Sequence, residues 1–237
     1  MFKEIFRFEI KYRLRKPDTW LFFLFFFIAS AIPFCTERGG RPHVFVNSPQ
    51  QITDFFTGMG LIMMVVSGSV MSGALYRDIE FNVYGYYLTQ PITRAGYFWG
   101  RFLGSFLFVL IIGSSMIWGA MAGPYVGLRF GWIGPDMVGP FHWVNYLQPF
   151  FGYAVPNLFL TSAIFYALVA FTRNARSLYA GSVLLFFSYM MSLFVLKDIP
   201  NKVWVYLLDP FAINAERLFT STYSPQEMNS SLVAITG

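Results

Sequence analysis

Five stretches of this sequence contain no Asp, Glu, Lys, Arg or His: residues 20–34, 55–75, 102–123, 150–171 and 178–196. A helix rises ~1.5 Å per residue, so ~20 residues cross the ~30 Å hydrocarbon layer of a bilayer. The first run is short for a crossing and ends near Pro33; the other four have about the required length. Composition excludes a water-soluble alternative. Twenty-nine Phe residues in a chain of 237 have no soluble core to hide in. Charged residues make up 12%, about half the share usual in globular domains. The chain reads as an all-α integral membrane protein, with residues 1–237 forming one transmembrane domain. A long charged segment precedes the first run and no convincing small-residue cleavage site follows it, so that run is a retained span.

Residues 1–18 have the pattern of an interfacial amphipathic helix. Lys3, Arg7, Lys11 and Arg15 recur every four residues, with Phe2, Ile5, Phe6 and Tyr12 near the other side. Glu9 and Arg13 interrupt that apolar side. A basic stripe opposite aromatic and aliphatic residues suits a helix lying in the headgroups; the alternative is a solvated basic tail. Pro17 and Asp18 end this helix and start the next. Orientation follows from the basic residues. With the N-terminus inside, eleven of the seventeen Lys and Arg fall in cytoplasmic segments and six outside, which favours that arrangement. The segment after residue 196 is then an extracytoplasmic tail, 197–237. Its polar finish suggests a truncated sequence whose sixth span follows shortly.

The residues that could carry chemistry are few. The lone Cys35 excludes an internal disulfide and a cysteine-built metal site, and reads as a small apolar residue at a helix end. His43 and His142 both fall in outer loops, as surface residues or as two ligands of an outer metal site. Haem binding or a proton relay wants imidazoles within the spans. No base faces the Ser67–Gly68–Ser69 cluster, so serine nucleophile chemistry is not supported. No phosphate-binding G-x-x-x-x-G-K-[ST] loop and no HExxH motif is present. The reading is no catalytic residue, no metal and no cofactor; ATP, if used, is bound by another chain. In the outer loops Trp132, Trp143 and Tyr146 are placed as an interfacial belt.

Within the second run, Gly68 and Ser72, and Ser69 and Gly73, stand four apart and allow a neighbouring helix close approach. Gly100/Gly104 and Gly119/Gly123 do the same around the third. Ordinary packing and a pathway or subunit seam both fit these. Asn157, following Pro156 in the fourth run, is strongly polar inside a span and either fills a kink or faces a substrate.

The stretch between the second and third runs, residues 76–101, has the most information. Arg77, Asp78 and Glu80 extend the second run past the membrane. Tyr84, Tyr86, Tyr87 and Leu88 form an aromatic-aliphatic knob, Gln90–Pro91 halts the helix, and Arg94 leads into the third run. It has room for a short helix along the membrane face, where a mere turn needs only a few residues. Leu88, Pro91, Ile92, Arg94, Tyr97, Gly100, Arg101 and Phe102, in the pattern L-x-x-P-I-x-R-x-x-Y-x-x-G-R-F, resemble the type-2 ABC transporter permeases. In that family this is the coupling segment against the ATPase subunit. The N-terminal helix looks like the family's connecting helix. Asp209–Pro210–Phe211 resembles the segment preceding its sixth span, and is also similar to large permeases that carry an extracytoplasmic metallo-aminopeptidase after their spans. Asn82–Val83 stand where the family has Gly-Thr.

The resemblance implies a permease subunit of a bacterial inner membrane, working by alternating access with export favoured. It is driven by a cytoplasmic ABC ATPase and paired with a second permease copy. It implies ATPase coupling through Arg77, Asp78, Glu80, Tyr84, Tyr87, Leu88, Pro91 and Arg94. Gly68, Ser69, Ser72, Gly73 and Asn157 are the packing or pathway residues. The rivals are an anchoring subunit without transport, and a haem- or cofactor-handling membrane protein.

Overall fold

The computed structural model describes residues 2–36, 43–81, 93–196, 209 and 211–230, and among these every regular element is helical. The elements are α1 (Phe2–Leu14), α2 (Pro17–Cys35), α3 (Pro49–Glu80), α4 (Arg94–Phe130), α5 (Val144–Pro149), α6 (Val155–Thr172), α7 (Ala175–Leu196), α8 (Ile213–Thr220) and α9 (Pro225–Asn229). A 3-10 turn, Pro135–Met137, lies between α4 and α5, and a π turn, Phe150–Ala154, joins α5 to α6 without a break. Four helical stretches are long and apolar enough to cross a bilayer: Pro17–Cys35, Pro49–Asp78, Arg94–Phe130 and Val144–Thr172. The fifth uncharged run is helical as α7.

The helices overrun the uncharged runs at both ends. Pro33 does not stop α2 at once: it removes one backbone hydrogen bond and crowds the carbonyl four residues back, and the helix ends two residues later at Cys35. With 32 residues α3 is ~48 Å long, and with 37 residues α4 is ~55 Å long. Both are longer than the ~30 Å a hydrocarbon layer would cover.

The spine is α4. It is followed along one side first by α1 and then by α2, both in its own direction: Gly100 and Gly104 meet α1, while Gly119 and Gly123 meet α2. Glycine is required at the last two. A Cβ on Gly119 falls 1.8 Å from the Ser30 Oγ and 2.2 Å from the Phe27 carbonyl oxygen; one on Gly123 falls 2.6 Å from the Phe34 Cβ. Lipid tails are as apolar as the side chains, so helices in a bilayer associate through such close backbone approach.

On its other side α4 packs antiparallel to α6. Tyr166 donates from its hydroxyl to the Phe98 carbonyl at 2.9 Å, and Phe102 lies edge-on to Tyr166 and Phe159. The partner of α6 is α3, with Ser67 donating to Thr161 at 3.2 Å. Met63, Met64, Met71, Ile112, Phe165 and Val169 fill the centre. Outward surfaces are strongly apolar: Leu21, Leu24, Phe25, Ile28 and Ile32 on α2, and Leu184, Phe187 and Met191 on α7, are all exposed. Water would not tolerate patches of this extent; lipid does.

At the end of the bundle away from α1, Asp209 accepts from the Tyr189 hydroxyl and from the Asn214 N–H, seating α8. Phe211 is buried against Tyr189. Trp132 and Trp143 are exposed there, as an interfacial belt requires. Tyr146 corrects the expectation. It is 1% exposed, because it falls on the inner side of α5 and joins the core.

Candidate functional site at the ends of α3 and α4

The side of α1 that faces the bundle consists of Ile5, Glu9 and Arg13, three residues spaced by one helical turn. Two of these are the charges that interrupt its apolar side, and the fold explains them. Opposite stand Arg77 and Asp78 from the last turn of α3, and Tyr97, Arg101 and Ser105 from successive turns of α4. Gly104 lets the Glu9 backbone approach, since a Cβ there falls 2.8 Å from the Glu9 Cβ. The first turn of α4 is set by Thr93, whose hydroxyl caps the Gly96 N–H at 3.2 Å.

Glu9 is fully buried and accepts four bonds. Its Oε1 takes the Arg13 Nε at 2.8 Å and the Ser105 hydroxyl at 3.2 Å. Its Oε2 takes Arg101 Nη1 at 2.6 Å and Arg77 Nη2 at 3.1 Å. Asp78, 3% exposed, binds the other arm of Arg101 at 2.7 Å and accepts the Tyr97 hydroxyl at 2.6 Å. Arg13 also donates to the Val70 carbonyl at 2.6 Å and to Ser105 at 3.0 Å, so it touches α3 and α4 together. Arg77 lies over the Tyr12 ring at 3.9 Å, a cation–π contact back to α1.

The electrostatics follow from this count. Two carboxylates face three guanidiniums inside protein, where an unpaired charge is costly. Burial pushes the Glu9 carboxyl up, but Arg13, Arg77 and Arg101 outweigh burial and hold it below its ordinary value of 4.5. Burial pushes the Arg13 guanidinium down, and Glu9 offsets that only in part. Every carboxylate oxygen here is engaged by at least one donor, so the cluster is a clamp between three helices.

No family model, no curated protein and no solved structure matches this chain. The reading of the site therefore rests on its own geometry.

The coupling residues read from the sequence divide into three groups. Arg77 and Asp78 are turned inward and engaged within the chain. Glu80 and Arg94 are exposed, flanking the connection between α3 and α4. Tyr84, Tyr87, Leu88 and Pro91, with any coupling helix, lie outside the described residues. Among the packing residues, Gly68 is buried against Phe165, where a Cβ falls 3.3 Å from the ring. Gly73 has open space before it and Ser69 is half-buried. The Ser72 side chain is outside the described set. Asn157 is buried in α6. His43 and His142 form no metal-holding group with other ligands among the described residues.

Sequence reasoning passed over Glu9, Arg13, Tyr97, Arg101 and Ser105 as a set. A signal was present: Ile5, Glu9 and Arg13 share one side of α1, and two charges on a helix's apolar side must find charges opposite. Arg101 immediately before an uncharged run was the matching half.

Proposed function

We propose that this chain is the membrane-spanning permease part of an ABC transporter. It sits in a bacterial inner membrane with its N-terminus in the cytoplasm, five spans across the bilayer and a separate ATPase docked on the α3–α4 connection. The observation that carries the reading is the tie between the last turn of α3 and the first turns of α4, made by Asp78 with Arg101 and Tyr97 and extended to α1 by Glu9. A lever needs two arms that move together. Force applied to a flexible loop is lost in bending, whereas force applied between two braced helix ends turns both. Closure of an ATPase dimer on ATP would drive α3 and α4 as one body. Two such bundles would alternate between inward and outward access, in the export direction. The sequence pattern of residues 88–102 supports the same assignment.

The brace reassigns roles. Arg77 and Asp78 hold the lever; Glu80, Arg94 and the segment containing Tyr84, Tyr87, Leu88 and Pro91 are what an ATPase would grip. The test is co-purification with a candidate ATPase, a G-x-x-x-x-G-K-[ST] protein sought first in the neighbouring reading frames. Paired E80R/R94E and paired Y84A/Y87A variants abolish capture, while helical content by circular dichroism stays unchanged. Capture that survives both pairs, or labelling of a Gly85→Cys variant from outside intact cells, would overturn the proposal. An anchoring subunit would use the same brace; substrate-stimulated ATP hydrolysis in vesicles separates transport from tethering.

A further inference from the structure

With Ile5, Glu9 and Arg13 committed inward and Lys16 beside Asp18 at 3.5 Å, the other four cations of the N-terminal segment face outward. Lys3, Arg7, Lys11 and Arg15 are all exposed, in a row with about 6 Å between neighbours. Phe2, Phe8 and Leu14 are exposed beside them, and Glu4 is the acidic residue within α1 on this exposed side. The row cannot roll inward, because its helix is pinned through Glu9 to α3 and α4.

The level of this row is fixed by packing. Glu9 meets Gly104 and Ser30 meets Gly119. The chain from Glu9 to Ser30 would span about 32 Å as a straight helix, whereas α4 rises only about 22 Å from Gly104 to Gly119. The difference of about 10 Å means that residues 9–30 do not run as one straight helix along α4, in keeping with the break between α1 and α2 at Arg15–Lys16. Ile5 and Glu9 on the inner side of this helix meet Gly100 and Gly104, and Arg13 meets Ser105, so the row lies beside the part of α4 where the uncharged run begins. Trp20 and Trp99, each 49% exposed, lie close to that boundary, and Trp20 donates its indole N–H to the Leu14 carbonyl at 2.9 Å. Exposed tryptophans mark the headgroup layer. Leu21, Leu24, Phe25, Ile28 and Ile32 continue from there along α2 as a lipid-facing surface.

We propose that the outward row Lys3, Arg7, Lys11 and Arg15 is a binding surface for anionic phospholipid headgroups, held in register by the ionic clamp on the inner side of the same helix. Cations with interspersed aromatics at the headgroup level, continuous with a lipid-facing helix, fit a bilayer of negative surface potential better than an acidic protein. The proposal does not depend on the permease reading: an anchoring protein would bind the same lipid.

The test uses the full chain in mixed micelles with equal phosphatidylglycerol and phosphatidylcholine, counting retained lipid by native mass spectrometry. Each basic side chain near an anionic surface changes partitioning by roughly fivefold. The wild type should therefore prefer phosphatidylglycerol by at least about tenfold. K3Q/R7Q/K11Q/R15Q should bring the two lipids near parity, and K3R/R7K/K11R/R15K should keep the preference. Raising salt on the wild type, which needs no variant to fold, should erode the preference as surface charge is screened. No preference in the wild type, an unchanged preference in the glutamine variant, or indifference to salt would each overturn the proposal. So would displacement of the lipid by a soluble acidic peptide at equal concentration.

Discussion

Replacing Glu9 with glutamine keeps the side-chain shape and removes one charge, at the point where three guanidiniums converge. The carboxylate accepts four bonds, two on each oxygen. An amide keeps one accepting oxygen and turns the other into a donor aimed at two more donors. At least two bonds are lost, each worth ~1.5–3 kcal/mol when a charge takes part. Breaking one side of a buried ionic group costs ~3–5 kcal/mol by direct measure in other proteins, in agreement with that sum. Besides the Arg13 bonds to Val70 and Ser105 and the Arg77–Tyr12 contact, α1 is held by Ile5, its buried apolar side chain, and complete burial of such a residue contributes ~1.5–3 kcal/mol. The expected result is release of α1 from α4 while the spans stay packed.

Hydrogen–deuterium exchange over residues 2–14 reads this directly. A cost of ~3–5 kcal/mol at ~1.4 kcal/mol per tenfold raises amide exchange in α1 about a hundredfold or more. Exchange in residues 102–123 should not move. The second arm is Arg77→Gln made in the Glu9→Gln background. Since Arg77 loses its 3.1 Å partner when Glu9 is neutral, removing it then should cost less than removing it from the wild type. Exchange in α1 that changes by less than threefold in Glu9→Gln, or costs that simply add in the double variant, would refute the clamp.

Two further outcomes follow from the same geometry. The Glu9 carboxyl is held below its ordinary 4.5, so its contribution is complete above that value and is lost as pH falls through the depressed folded value; α1 should stay protected at pH 5 and loosen only in stronger acid, followed by exchange or by pepsin cleavage between residues 2 and 14. Gly119→Ala places a methyl 1.8 Å from the Ser30 Oγ and should lower detergent stability by ~1–3 kcal/mol, whereas Gly58→Ala, inside α3 with nothing within 4 Å, should not lower it and should raise it by up to ~1 kcal/mol.

Much of this architecture is written in the sequence because charge avoidance in a bilayer is absolute enough to read. Each of the four helical stretches long and apolar enough to cross a bilayer contains an uncharged run, and α7 contains the fifth. The ends are less legible, for a physical reason. Lipid imposes no charge rule beyond the hydrocarbon: the extension of α3 through Arg77, Asp78 and Glu80 is legible, whereas the start of α4 at Arg94, eight residues before its uncharged run, is not. Tyr146 illustrates a second gap: a tyrosine near a span end suits the interface or the core equally, and only the rotation of α5 decides. The clamp shows a third. Glu9 and Arg13 weaken α1 as an amphipathic helix, and pairwise logic needs the partner's position, which lies more than sixty residues away in α3 and more than ninety away in α4.

Why a chain in this setting uses five charged side chains where apolar packing would hold helices as well is a question of register, not of gross stability. A buried ionic group is often no more stabilising than apolar residues of equal volume, since desolvation offsets most of the attraction. Apolar packing between long membrane helices, however, tolerates slippage: a shift of one turn exchanges one Met or Phe contact for another. The Arg101 guanidinium does not tolerate it. It spans Glu9 on one arm and Asp78 on the other, at 2.6 and 2.7 Å, and one turn of displacement, ~5.4 Å, breaks both. The clamp thus selects a single alignment of α1, α3 and α4 at the charged ends of α3 and α4. The consequence is specific: D78L/R101M should preserve helical content while letting cysteine pairs placed one turn apart on α3 and α4 cross-link in more than one register. A single register in that variant would mean that packing alone sets the alignment.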